Sequence, residues 1–171
     1  MSLRELRQAS VHVLEGQSLV IPLMVEELTE SIEALGRRWH RKREFHLTVM
    51  VSRLLDPPEE RPDVWDRVVK VASGRQLGPV RAGEEFRRVS HPDRADLETL
   101  IVMVDCPGLE QLVRDLSDAL GRRLPVPPAH VTLYSSDPAQ GIGIADEQEL
   151  AERAPPLSEP QQEEIRRAAR W

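Results

Sequence analysis

Cysteine is almost absent from this chain, which contains only Cys106. A single cysteine excludes an internal disulfide and a cysteine-based zinc site, and it fits a reducing compartment. Long hydrophobic runs are also missing, because the apolar stretches at 19–25 and 100–104 are far shorter than a membrane-spanning helix. The first residues lack the apolar stretch of a secretory signal. The sequence therefore predicts a cytoplasmic protein with no membrane partner.

Positive charge is in deficit, since the formal net charge of the 171 residues is −6. This balance argues against a protein that coats nucleic acid, because such binding is dominated by phosphate contacts. Five basic residues nevertheless cluster within a short segment, at Arg37, Arg38, Arg41, Lys42 and Arg43. They predict a basic cleft in an acidic molecule, although a solvated basic loop explains them equally well. With 40% hydrophobic residues, the composition is that of a folded protein, and we expect a monomer.

Threonine is scarce too, with four residues, yet two of them follow a histidine by two positions. Residues 45–49 (FHLTV) and 129–133 (AHVTL) share the pattern apolar-His-apolar-Thr-apolar. With five histidines and four threonines, this coincidence arises in about one in two hundred sequences of the same composition. Alternate side chains of a strand share a face, so each histidine is predicted to project together with its threonine.

The segments before the two motifs also correspond. Extended apolar residues predict strands at 18–23 and 100–105, and apolar residues at helical spacing predict helices at 25–35 and 107–120. Both predicted helices end in Leu-Gly-Arg-Arg. This order predicts an α+β fold with two pseudo-symmetric lobes, each built from a duplicated strand-helix-strand unit. Antiparallel sheets would form a central cleft, with the helices outside.

We predict one bilobal domain over residues 1–171. Its first half covers about 1–90 and its second half about 91–171, and a helical tail occupies about 146–171. Between the duplicated units, 62–73 predicts a helix and 76–88 an extended segment. The tail contains two short helical patterns, and Ser158 with Gln161 is typical of a helix start. We assign the tail to packing on its own core; partner binding is the less common alternative for such a helix.

Two imidazoles that face each other across a cleft can divide proton transfer, with one accepting a proton and the other donating one. Phosphodiester chemistry needs this division, together with hydrogen-bond donors that hold the non-bridging oxygens. The hydroxyls of Thr48 and Thr132 are the predicted donors. Tyr134 continues the face of His130 and is predicted to bind substrate by stacking or hydrogen bonding. The alternative is an aromatic side chain that fills space at the strand end.

The two His-x-Thr motifs, together with the repeat around them, resemble the 2H phosphoesterases, which include bacterial 2′-5′ RNA ligase-like proteins and cyclic nucleotide phosphodiesterases. The resemblance covers both halves and implies catalytic His46 and His130 with phosphate-binding Thr48 and Thr132. It implies a phosphodiesterase that needs no metal and no cofactor. Its substrate would be a nucleotide or RNA terminus that carries a 2′,3′-cyclic phosphate or a 2′-5′ linkage. For opening a cyclic phosphate we expect His130 as base and His46 as acid, although pseudo-symmetry also permits the reverse.

Other interpretations of the same residues stay open. The cleft could hold a nucleotide or RNA end without turning it over. A metal site could recruit His12, His40 or His91, although the sequence has no compact ligand cluster such as His-Glu-x-x-His. The motif histidines could instead be hydrogen-bonded core residues. The Gly-Ile-Gly-Ile segment at 141–144 is interpreted as a plain turn rather than a phosphate-binding loop.

Overall fold

The computed structural model describes residues 4–14, 18–55, 57 and 59–171. Over these residues the chain is α+β, with a large antiparallel sheet and four α-helices. The strands are β1 (Arg4–Gln8), β2 (His12–Leu14), β3 (Ser18–Met24), β4 (Ser31–Ala34), β5 (Arg37–Arg41), β6 (Phe45–Val51), β7 (Val80–Ser90), β8 (Glu98–Asp105) and β9 (His130–Ser135). The helices are α1 (Pro62–Ala72), α2 (Gly108–Leu120), α3 (Glu147–Arg153) and α4 (Glu159–Ala169). In this part of the chain, each helix is too short or too polar to cross a membrane.

The strand pairings trace a closed path. β3 pairs with β1 and β6, β9 pairs with β6 and β8, and β7 pairs with β8 and β1. β2 pairs with β3, and the β4–β5 hairpin extends the sheet from β9. Because β6 and β9 are neighbours on this path, the two segments that carry the His-x-Thr motifs come together although they are far apart in sequence.

Two clusters of buried apolar side chains hold these elements together. The larger cluster joins the sheet to α1, α2 and α4, and includes Leu47 and Val131, both at 0% exposure. The smaller cluster lies under α3 and joins β7 and β8 to Ile142 and Ile144. The segment that follows β9 is therefore fixed to the sheet by a core of its own.

Most of the predicted elements are confirmed. The helix predicted at 62–73 is α1, the helix predicted at 107–120 is α2, and the extended segment at 76–88 overlaps β7. The two helices of the tail are α3 and α4, and α4 begins with the capping box of Ser158 and Gln161. The strands predicted before and at the two motifs are β3, β6, β8 and β9.

The helix predicted at 25–35 is wrong, because this segment leads into the β4–β5 hairpin. Leu35 and Gly36 have φ angles of 53° and 75°, the conformation of a two-residue turn that matches the twist of antiparallel strands. Trp39 of β5 is completely buried, and its Nε1 donates to the carbonyl of Ala34 at 2.8 Å. The Leu-Gly pair of the first half therefore forms a hairpin turn, whereas the corresponding pair of the second half ends a helix. The first half is thus strand-hairpin-strand, whereas the second is strand-helix-strand.

Gln162 of α4 is buried and forms a strand-like pair of hydrogen bonds with β7. Its Oε1 accepts from the Phe86 amide at 2.7 Å, and its Nε2 donates to the Phe86 carbonyl at 3.0 Å. Gln162→Ala leaves both backbone groups unpaired in a dry interior, so we expect the free energy of unfolding to fall by about 1–3 kcal/mol. Chemical denaturation of the wild-type protein and the variant measures this loss. Gln148→Ala, which truncates an exposed glutamine of α3, is the control. Equal effects of the two substitutions would contradict it.

Candidate active site

The two His-x-Thr motifs lie on adjacent strands. β6 and β9 pair in antiparallel register through Leu47 and Val131, the middle residues of the motifs. Because the strands run in opposite directions, this register sets His46 across from Thr132, and His130 across from the threonine of the first motif. Leu47 and Val131 point into the core, so the histidines and threonines occupy the other face of the sheet.

The four predicted site residues line one cavity of about 470 Å³: His46, Thr48, His130 and Thr132. This volume lies in the range of small-ligand sites. His130 is 4% exposed, whereas the other three side chains are half-buried. The site therefore combines one nearly dry imidazole with three groups that solvent and ligand can reach.

A β-bulge follows the threonine of each motif. The register of β6 against β3 shifts at Val49, and the register of β9 against β8 shifts at Leu133. A bulge inserts one residue and breaks the alternation of side chains between the two faces of the sheet. The residues after the bulges, Met50 and Tyr134, are consequently buried, at 2% and 0% exposure. Each motif strand thus presents one histidine and one threonine to the cavity before its bulge, and Val51 at the end of β6 adds an apolar side chain to the lining.

The structure contradicts the prediction that Tyr134 binds the substrate. Its side chain is completely buried away from the cavity, and its hydroxyl donates to the carbonyl of Thr29 at 3.0 Å. Burial raises the pKa of this phenol to about 12. Strict alternation after Thr132 would have placed the ring on the cavity face, but the bulge at Leu133 prevents this. Tyr134 is therefore a core residue.

A backbone hydrogen bond fixes the tautomer of His130. Its Nδ1 lies 2.7 Å from the carbonyl oxygen of Pro128. Since a carbonyl can only accept, Nδ1 carries the proton, and Nε2 of the neutral ring has a free lone pair. Burial lowers the pKa of His130, with the Pro128 hydrogen bond as a smaller opposing effect. His130 is thus held as a neutral imidazole whose Nε2 can accept a proton.

His46 lies in a more positive environment. Burial is the largest effect that lowers its pKa, followed by the charge of Lys42 and then the proximity of His130. Glu44 opposes these effects to a smaller extent. The protonated form of His46 is therefore disfavoured in the free protein.

Lys42 also lines the cavity. The sequence indicated this residue only as one member of a basic cluster. Its Nζ donates to the carbonyls of Pro138 and Gln140, both at 2.9 Å. Its backbone amide donates to the carbonyl of Leu133, the bulge residue of β9, at 2.9 Å. Burial lowers the pKa of the amine, while Asp137 and Glu44 oppose this effect. Lys42 thereby joins the β5–β6 loop to the segment after β9.

The rest of the basic cluster divides between the cavity and surface ion pairs. Arg43 lines the cavity with Lys42. The other three arginines form ion pairs with carboxylates: Arg37 with Glu98, Arg38 with Glu33, and Arg41 with Glu30. Because the β4–β5 hairpin takes these arginines away from the motif, only the end of the cluster reaches the site.

The Gly141–Gly143 segment forms one wall of the cavity, which its interpretation as a plain turn did not anticipate. A Cβ atom added at Gly143 would lie 3.0 Å from Cγ1 of Val51, so the wall packs tightly against β6. The Gly143 carbonyl accepts from Arg153 at 3.3 Å, and Ile142 is anchored in the smaller core. A short Gly-x-Gly pattern is too common in sequences to be assigned to a binding site without the structure.

The remaining histidines lie on separate elements. His12 is on β2, His40 is on β5, and His91 follows β7, where its Nδ1 accepts from the amide of Asp93 at 3.1 Å. Within the described ranges, no three His, Cys, Asp or Glu side chains come together as a metal site requires.

We expect both motif histidines to titrate below pH 6.5, the ordinary pKa of the side chain. Since the unfolded chain binds these protons at higher pH, their contribution to stability is complete above about pH 6.5. It is lost as the pH falls from that value through the folded-state pKa values. A ¹⁵N NMR titration of the rings checks the pKa values and the Nδ1–H tautomer of His130. A midpoint of either ring at or above pH 6.5 contradicts the prediction.

Comparisons of this chain with protein-family models, with curated proteins and with solved structures found no match.

Proposed function

We propose that the protein is a metal-independent phosphodiesterase that acts on 2′,3′-cyclic phosphates or 2′-5′ linkages at nucleotide or RNA ends. One observation carries this proposal: both His-x-Thr motifs line the same cavity. The tautomer of His130, whose Nε2 is free to accept a proton, supports it. The resemblance of the motifs to those of the 2H phosphoesterases points to the same chemistry.

His130 is proposed as the general base. Its free Nε2 takes a proton from water, which then attacks phosphorus, while the Pro128 carbonyl stabilises the imidazolium through Nδ1. Because burial lowers the pKa of His130, the ring is already deprotonated at neutral pH. This hydrogen bond favours His130 over His46 as the base, a choice that the sequence left open.

His46 is proposed as the general acid, which protonates the leaving ribose oxygen. In the free protein, burial and the charge of Lys42 disfavour its protonated form. A phosphodiester in the cavity brings a negative charge that reverses this balance and raises the pKa of His46. The acid is thereby charged when substrate is present.

Thr48 and Thr132 are proposed to hold the two non-bridging oxygens. Their hydroxyls project from adjacent strands into the cavity, so they can donate from opposite sides of one phosphate. Fixed donors of this kind stabilise charge that develops in the transition state and can each contribute about 10²–10³ in rate. Lys42 adds a positive charge at the same site.

We further propose that the two halves are related by a pseudo-twofold axis near the Leu47–Val131 pair. In support of this, β1–β3–β6 and β7–β8–β9 have the same order on the closed path of strands. The bulges at Val49 and Leu133 occupy the same place in their motifs. Two matched bulges favour a common origin of the two lobes, even though a hairpin replaces the helix in the first.

We expect His46→Ala and His130→Ala each to reduce hydrolysis of adenosine 2′,3′-cyclic phosphate by about 10²–10⁴, because each variant lacks one proton-transfer group. The assay contains EDTA, includes a short RNA with a 2′,3′-cyclic phosphate end, and uses His91→Ala as a histidine control outside the cavity. Circular dichroism checks that the variants fold.

Several outcomes would overturn the proposal. Turnover that depends on added metal contradicts the mechanism, as does full activity of either variant. If the wild-type protein binds the nucleotide at the same histidines but does not hydrolyse it, the cavity belongs to a non-catalytic nucleotide-binding module.

We expect Lys42→Met to raise KM for the cyclic nucleotide about tenfold or more, because one charged contact to the phosphate is lost. Rising salt should also affect the variant less than the wild-type protein. Lys70→Met is the matched control, because Lys70 is the other lysine of the chain and lies exposed on α1. An unchanged KM in Lys42→Met excludes a phosphate contact.

A further inference from the structure

We propose that an apolar shelf beside His46 binds the nucleobase of the substrate. The β3 shelf consists of Pro22 and Met24, alternate residues of one strand, and ends inward at Val20, which is 1% exposed. Pro22 pairs directly with His46. The shelf therefore continues the face of the sheet that carries the first motif. This inference rests on the proposed function, since it assigns the organic part of the same substrate.

The shelf is the floor of a second cavity that adjoins the first. This cavity has a volume of about 580 Å³ and shares Arg43, Glu44 and His46 with the phosphate cavity. Strands in a sheet lie about 4.8 Å apart, so the shelf begins one strand away from His46. One ribose can bridge that separation between a phosphate at the histidines and a base on the shelf.

Met24 is the most exposed large apolar residue in the described part of the chain, at 59% exposure. A flat heteroaromatic ring would cover this side chain, and a thioether makes favourable contacts with aromatic rings. Glu26 and His12 lie at the rim of the same cavity and offer polar groups to the edge of a base. An apolar floor with a polar rim suits a nucleobase better than a bare sugar phosphate.

The proposed roles of the two histidines also place the nucleoside next to the shelf. When a 2′,3′-cyclic phosphate opens, the leaving oxygen stays on the ribose that carries the base. The acid protonates this oxygen, so the nucleoside lies on the side of His46. The β3 shelf is on that side, because Pro22 pairs with His46.

Methionine NMR tests the shelf without requiring turnover. The chain contains four methionines, so ¹³C-methyl labelling gives few resonances, and Met24→Ser assigns that of Met24. We expect adenosine 3′-monophosphate to move this resonance upfield through the ring current, and inorganic phosphate to leave it in place. Met50, at 2% exposure, is an internal control. The proposal is overturned if the His130 ring signals show that the nucleotide saturates the site while the Met24 methyl resonance does not move.

Kinetics give a second, independent test. We expect Met24→Ser to lower kcat/KM for adenosine 2′,3′-cyclic phosphate about threefold to tenfold, and to leave ribose 2′,3′-cyclic phosphate unaffected. Val69→Ser, at 40% exposure on α1, is the matched control. Equal losses on both substrates, or no loss on either, overturn the shelf. If the wild-type protein hydrolyses neither substrate but adenosine 3′-monophosphate still shifts the Met24 resonance, the proposed function is wrong and base binding by the shelf is supported.

Discussion

The packing of Leu47 against Val131 determines the arrangement of the polar groups above them. Both side chains are completely buried, and their pairing sets the register between β6 and β9. A slip of one residue would turn a histidine and a threonine into the core and expose apolar side chains in their place. Burial on one face of the sheet therefore fixes the geometry on the other face, where the site lies.

The bulges at Val49 and Leu133 restrict the polar face to two residues on each strand. Without them, alternation would continue the cavity face through Met50 and Tyr134. With them, both side chains add to the core next to the site, and the Tyr134 hydroxyl bonds to the Thr29 carbonyl. A bulge also increases the local twist of its strand. This added twist is consistent with a cavity that opens beside the point where β6 meets β9.

The sequence predicted the two motif strands and the helices whose apolar faces pack on the sheet, because periodicity and end signals agree there. It could not show that Leu35 and Gly36 form a hairpin turn, since a Leu-Gly pair is compatible with a helix end and with a turn. It could not locate the bulge that buries Tyr134, because a bulge depends on the register of the partner strand. Lys42 and Gly141–Gly143 reach the cavity through contacts between distant segments, which no local pattern encodes.

The electrostatics of the cavity connect these structural features to its chemistry. Lys42 is partly buried, yet two of its three donor positions are used by the carbonyls of Pro138 and Gln140. Burial lowers the pKa of both motif histidines, and the charge of Lys42 lowers that of His46 further. Under the proposed function, the negative charge of a bound phosphodiester favours the protonated form of His46, while the bond from His130 to the Pro128 carbonyl preserves the His130 tautomer. The proposed mechanism then forms its acid–base pair on substrate binding, from two histidines whose pKa values are both lowered in the free protein.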